Sequence, residues 1–171
     1  MVFSDDPVLL ERARALREYD GAPFLNAQAT NLKMTDLQAA IGLAQLDRLP
    51  GVLARRVSLA LEYRGALAGT SAILPAEPAG RTHVYYRFVV QMSKRGSGSD
   101  ELSDRIGRLE RVGVQCRKPV FRSLHRYLDL DGFPASEAAE YEALSIPLYP
   151  ALADEEVGQI IMAMRDEWRR E

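Results

Sequence analysis

Cysteine is nearly absent: Cys116 is the single one in 171 residues. One thiol rules out an internal disulfide, and with only two histidines beside it a Cys/His zinc site is implausible, so no metal is expected. Lysine is scarce too, since Lys33, Lys94 and Lys118 are the only lysines among 22 basic residues. Neither sign of charge prevails. The 22 basic and 24 acidic residues leave a net charge of −2, which supplies no general electrostatic drive toward nucleic acid or an anionic membrane. No apolar run approaches the roughly 20 residues of a membrane-spanning helix. The stretch Met1 to Pro7 has neither the basic start nor the apolar core of a secretory leader. Internal repeats, a long linker, a glycine-rich phosphate loop and a Ser/His/Asp order are missing as well. A cytoplasmic protein without nucleic-acid or membrane partners is the expectation.

What is present is ordinary globular material, 47% hydrophobic and 27% charged. The length suits one domain, or one and a fragment, burying about 70% of the surface that its unfolded chain exposes. Asp5-Asp6-Pro7 reads as a helix start, with the helix running to about Tyr19. Thr35-Asp36-Leu37-Gln38 reads as a capping box opening a second helix, whose Leu37, Ala40, Ile41 and Ala44 form one apolar stripe. Pro50-Gly51 marks a break or kink, after which Leu53, Val57, Ala60, Leu61 and Leu67 continue a helical pattern as far as Gly69. Val84 to Met92 reads as a central strand, Asp100 to Arg111 as a helix, and Gly113 to Arg117 as a second strand. Ser136 to Ala143 is a short helix, and Ser145 to Pro150 is extended because each proline disfavours helix in the residue before it. Asp154 opens a last helix, with Val157, Ile160, Ile161, Met164 and Trp168 on one face. The order predicts an α/β sandwich: a small, mostly antiparallel sheet with helices packed on one face.

Few residues carry obvious chemistry. His83 and His125 have the unperturbed pKa of a general acid or base, and the plainer reading of each is a surface or loop histidine. Cys116 reads as a small strand residue rather than a nucleophile. Arg117, Lys118, Arg122 and Arg126 can bind phosphate or simply form a solvated loop. Lys94 sits in a Gly/Ser loop, a poor place for a desolvated Schiff-base amine. Asn31 stands one turn before the Thr35 helix, where its amide and the helix N–H groups can donate to an anion.

Together these segments resemble a known family. Asn31-Leu32-Lys33-Met34-Thr35-Asp36-Leu37-Gln38-Ala39-Ala40-Ile41-Gly42-Leu43-Ala44-Gln45-Leu46 resembles the signature of the DegT/DnrJ/StrS family, pyridoxal-phosphate (PLP) sugar aminotransferases with the type I fold. The resemblance continues in order through Arg55-Arg56, Tyr63, His83 to Phe88, Gly113-Val114, Leu124-His125, Phe133-Pro134 and Leu144 to Pro150, and Val2 to Pro7 resembles the strand and turn after the family's catalytic loop.

The resemblance implies a C-terminal portion of such an enzyme. Residues 1–20 would be a remnant of the large PLP-binding domain, and 21–171 the small domain with long connecting helices. The family's PLP lysine, the acid that pairs with the pyridine nitrogen and most phosphate-binding groups would precede Met1. The chain alone is therefore expected not to transaminate, and no catalytic residue is assigned within it. Carried over are Asn31 and Lys33 as contacts to the PLP phosphate of the partner subunit, and His125 as a substrate-binding residue. A lysine brings charge there but not the fork of an arginine. The implied partners are a nucleotide-sugar substrate, an amino donor, and a second copy or an N-terminal PLP domain. Two alternatives stand beside this: a nucleotide-sugar 3-dehydratase of the same family, and a non-catalytic dimerisation or orphan domain.

Overall fold

The computed structural model describes residues 3–17, 32–92 and 99–169. The chain divides into two compact units, Met1–Leu49 and Pro50–Glu171.

In the first unit, helix α1 spans Pro7–Arg17. Its start is set by chemistry visible in the sequence. The Asp6 carboxylate accepts the N–H groups of Val8 and Leu9 at 2.8 and 3.4 Å, and Pro7 lies in the first turn, where a missing donor costs nothing. The expected end at Tyr19 lies outside the described residues. Helix α2 spans Asp36–Leu67. The capping box at its start is formed as expected: the Thr35 N–H donates to Gln38 Oε1 at 3.0 Å, and the Gln38 N–H to Thr35 Oγ1 at 3.3 Å. Leu37 and Ile41, two members of the apolar stripe, are 71% and 56% exposed.

Of the break or kink expected at Pro50-Gly51, the break does not occur: helix α2 continues through Pro50, although the division between the two units falls at this proline. Proline removes one i→i−4 bond and crowds one carbonyl, at a cost of about 3 kcal/mol. The Leu, Ala and Arg residues on either side favour helix and carry the ladder past it.

The second unit is built on two short antiparallel strands, β1 (Phe88–Gln91) and β2 (Ala143–Ile146), paired Phe88 to Ile146 and Gln91 to Ala143. Single bridges extend this ribbon on both sides, Ile73 with Gln91 and Arg117 with Ser145. Around it lie α3 (Ser99–Arg111), α4 (Leu124–Tyr127), α5 (Pro134–Tyr141) and α6 (Asp154–Trp168). Leu59, Tyr63 and Leu67 of α2, Phe88 and Val90 of β1, Leu144 and Ile146 of β2, Leu102 and Leu109 of α3, and Val157, Ile160, Met164 and Trp168 of α6 form one core. The fold is therefore helices with a small antiparallel sheet, as the element order implies.

Four local expectations need correction. The strand begins at Phe88 rather than Val84, because Tyr85 takes a left-handed conformation (φ 45°) and the Arg56 guanidinium donates to the carbonyls of Tyr85 and Tyr86 at 3.0 and 2.9 Å. Those carbonyls are satisfied by a side chain instead of a neighbouring strand. Gly113 to Arg117 forms one bridge and not a strand, since Gly113 has φ 86° and the Cys116 N–H turns back to the Val114 carbonyl. The helix placed at Ser136 to Ala143 starts at Pro134 and ends at Tyr141, which frees Ala143 to open β2. On α2 the buried face carries Leu59, Ala60, Tyr63 and Leu67, while Leu61 is 56% exposed.

This last correction is directly measurable. Leu59→Ala is expected to lower unfolding stability in denaturant by about 2–5 kcal/mol, and Leu61→Ala to change it by no more than about 0.5 kcal/mol. Equal losses would mean that Leu61 is as buried as Leu59 and would contradict this face assignment.

Candidate functional site

The segment after Arg117 leads into the single turn of α4, and α4, α5 and the connection between them line an open cavity of about 410 Å³. Arg122, His125, Arg126, Asp129, Asp131, Glu137 and Tyr141 line it. Each side is held by identifiable contacts. The N–H of Ser123, the residue before α4, donates to a Glu140 carboxylate oxygen at 2.8 Å, and the Ser123 hydroxyl donates to the Ser136 carbonyl at 2.9 Å. At the other end, the N–H groups of Leu128 and Leu130 both donate to the His125 carbonyl, at 3.1 and 3.0 Å. Asp129 closes this turn with φ 51°, a conformation that aspartate tolerates better than most residues.

His125 is 7% exposed. Its ring stacks on Phe133, with centroids 5.1 Å apart, and its Nε2 lies 3.6 Å from Glu137 Oε1, an ion pair when the imidazole is protonated. The basic run expected to bind phosphate or lie in solvent is instead partly organised by aromatic rings. Arg126 and Lys118 stand over Tyr141 at 5.4 and 5.6 Å, and Arg122 stands over Tyr127 at 4.6 Å. Arg126 also donates to Glu140 at 3.0 Å, and Arg117 to Glu110 at 2.6 Å. Burial by itself would raise the Glu140 carboxyl, but the Ser123 N–H and the Arg126 guanidinium outweigh it and hold the group below the usual carboxylate range. The cavity thus combines guanidinium donors suited to phosphate with carboxylates that accept from hydroxyl groups.

The other sequence candidates fall elsewhere. His83 is exposed; its Nδ1 accepts the Tyr85 N–H at 2.8 Å, so it supports the backbone turn before β1. Cys116 is fully buried, and burial, with Glu110 adding, pushes its thiol up to about 12, which makes it a packing residue. Asn31 lies outside the described residues. Lys33 is exposed and belongs to the first unit, whereas His125 belongs to the second. The capping box engages the Thr35 and Gln38 N–H groups, two of the helix-end donors available to an anion there, and Asp36 adds negative charge to the first turn. Among the described residues no group of three or more His, Cys, Asp or Glu is placed to hold a metal, and no helix is long and apolar enough to cross a membrane.

Sequence reasoning missed Glu137, Glu140 and Tyr141. Glu137 and Glu140 stand three apart on α5, a spacing that puts both carboxylates on neighbouring parts of one face. That spacing was the available signal, but nothing local tells which acid is buried.

The model of the DegT/DnrJ/EryC1/StrS aminotransferase family matches residues 1–165. A GDP-perosamine synthase of Caulobacter vibrioides is 28% identical over 176 residues, covering 96% of this chain and 46% of that protein. A dTDP-4-dehydro-2,3,6-trideoxy-D-glucose 4-aminotransferase of Saccharopolyspora spinosa is 30% identical, covering 92% and 45%. The aminotransferase TlmJ from Streptoalloteichus hindustanus superimposes with a TM-score of 0.83 at 30% identity, covering 97% of this chain and 46% of that one. DesV of S. venezuelae does so with 0.79 at 27% identity. The chain spans about half the length of the curated relatives it matches.

The state of Glu140 predicts an acid dependence. A carboxyl whose folded value lies below its unfolded value of about 4.3 contributes stability above that unfolded value and loses it as pH falls through the folded one. The unfolding free energy should decline over that acid window. Glu140→Gln should flatten that decline and lower stability at neutral pH by about 1–3 kcal/mol. Identical acid profiles for the two proteins, followed by tryptophan fluorescence in urea, would contradict the assignment.

Proposed function

The chain belongs to the DegT/DnrJ/EryC1/StrS aminotransferase family, and we propose that it forms the C-terminal part of a cytoplasmic, PLP-dependent nucleotide-sugar aminotransferase of amino-sugar biosynthesis. The family match over residues 1–165, running through the loop that carries His125, is the observation that carries this reading. In it, residues 1–20 belong to the end of the large PLP-binding domain and 21–171 to the small domain. Two relatives whose names contain GDP-perosamine and a dTDP-linked deoxysugar support a nucleotide sugar as the substrate class.

Lys33 and Asn31 are the groups we assign to the cofactor phosphate. The donor set fits: an exposed ammonium and a primary amide are groups that a phosphate ester accepts from. The capping box engages N–H groups at the start of α2, so in this reading Asn31 and Lys33 are the contacts that this segment adds to the phosphate of the partner subunit's cofactor, beside those of the PLP domain. When bound, PLP supplies an electron-withdrawing ring that stabilises negative charge at the substrate carbon. His125 meets the nucleotide-sugar side, with Arg122 and Arg126 as donors and the carboxylates of Asp129, Asp131 and Glu137 as acceptors for hydroxyl groups. None of the three lysines is assigned the covalent role, so in this reading these 171 residues by themselves do not transfer nitrogen.

The proposal is tested with PLP and borohydride. The chain alone should show no reducible attachment of cofactor to Lys33, Lys94 or Lys118, and attachment to any one of them would overturn the assignment. Joined to a complementary PLP domain, Asn31→Ala and Lys33→Ala should each weaken cofactor retention by about tenfold or more, in line with a charge-assisted hydrogen bond. His125→Ala should raise KM for the nucleotide sugar more than it lowers kcat. Unchanged retention and unchanged KM would remove these residues from the site.

The exposure of Leu37 and Ile41 supports a second element of the reading: this face of α2 meets another subunit or the large domain. Light scattering on the purified chain should then show self-association, and a monomer at all concentrations would argue against it.

A further inference from the structure

His125 is held in place from outside its own turn. Helix α4 has four residues, and Ser123 before it makes no side-chain cap. Its hydroxyl is committed to the Ser136 carbonyl instead. An isolated turn of this length has no stability of its own, since helix formation begins with an unfavourable nucleus. What fixes the start of the turn is Glu140, a carboxylate on α5 that is 4% exposed.

We propose that Glu140 is a positioning residue for His125. Its carboxylate accepts from the residues on both sides of the histidine, the Ser123 N–H at 2.8 Å and the Arg126 guanidinium at 3.0 Å. The turn between them therefore has one register relative to α5. Its far end is closed by the two N–H groups that donate to the His125 carbonyl. With both ends held, the imidazole has one orientation, stacked on Phe133 with Nε2 toward Glu137. The two acids of α5 divide the work. Glu137, half exposed, meets the imidazole; Glu140, buried, holds the backbone that carries it.

Removing the Glu140 carboxylate leaves the buried Ser123 N–H without an acceptor, and the turn must move to hydrate it, while the half-exposed Arg126 guanidinium loses its tie to α5 and turns to water. The ring should then leave its stack on Phe133. The relevance of this to substrate rests on the nucleotide-sugar reading, but the positioning itself does not.

The test is nuclear magnetic resonance of the imidazole ring in the 171-residue chain. There are two histidines, so the spectrum of His83→Gln assigns the His125 signals. In the wild-type chain these signals should carry the upfield displacement of a ring facing Phe133 and show direct proton contacts to it. Glu140→Ala should lose both the displacement and the contacts. Glu140→Gln, which keeps an acceptor for the Ser123 N–H, should restore part of each, and Arg126→Met, which keeps the Ser123 bond, should be intermediate. Leu59→Ala lowers stability through the core and should leave the His125 signals as in the wild type. Wild-type ring signals in Glu140→Ala, or equal displacement by Leu59→Ala, would overturn the proposal. If Glu140→Ala fails to fold, Glu140→Gln and Arg126→Met decide it, and wild-type signals in both would be contrary. Because the readout is ring geometry and not turnover, failure of the substrate reading would appear separately, as a KM that His125→Ala leaves unchanged.

Discussion

Tyr63 joins the three segments on which the second unit depends. It leaves the buried face of α2, meets Phe88 of β1 edge to face with centroids 5.4 Å apart, and donates its hydroxyl to the Pro147 carbonyl at 2.9 Å, just beyond β2. Burial holds the phenol above its ordinary value, so it remains a donor. Two four-residue strands make a weak ribbon by themselves, and a two-stranded ribbon is marginal in water. Packing of Leu59, Tyr63 and Leu67 against this ribbon makes it the floor of a core. The aromatic contact and the hydrogen bond also fix how the end of the ribbon meets the helix, because the phenol reaches its acceptor in one direction only.

The helices at the other side are coupled by charge. Arg108 Nε of α3 donates to both oxygens of the Glu167 carboxylate of α6, at 2.9 and 3.2 Å, its Nη2 donates to one of them, and Arg105 stands over the Trp168 ring at 4.6 Å. Buried groups of this kind contribute little net stability against an apolar replacement, because desolvation offsets the attraction. Removing one partner is costly, and this selects one arrangement of α3 on α6. Glu140 follows the same physics on a smaller scale. A buried carboxylate tolerates few alternatives to its two donors, and through them Glu140 ties the turn that carries His125 to α5.

Legibility varied with the range of the interaction. The capping box at Thr35 and Gln38 and the stripe Val157, Ile160, Met164 and Trp168 of α6 were readable, since both are written in residues three or four apart. The strand start was not, although Val84 to Arg87 favours extended structure. Arg56, about thirty residues away, takes the carbonyls that a strand would have used. Leu59 and Leu61 are equally apolar, and only the helix phase relative to Phe88 decides which is buried. His125 was legible as a candidate by residue type. Glu140 was one acid among 24 until the fold placed it beside Ser123 and Arg126.

The sequence by itself determined the helix starts at Asp6 and Thr35, the apolar face of α6 and membership of an aminotransferase family through its ordered motifs. These rest on local geometry or on residue order, which a linear chain carries intact. Tertiary structure alone decided where the strands begin, which leucine of α2 faces inward, and which acid of α5 is buried. Each is a competition between residues of similar local preference, and such competitions are settled by partners that are distant in sequence and adjacent only after folding.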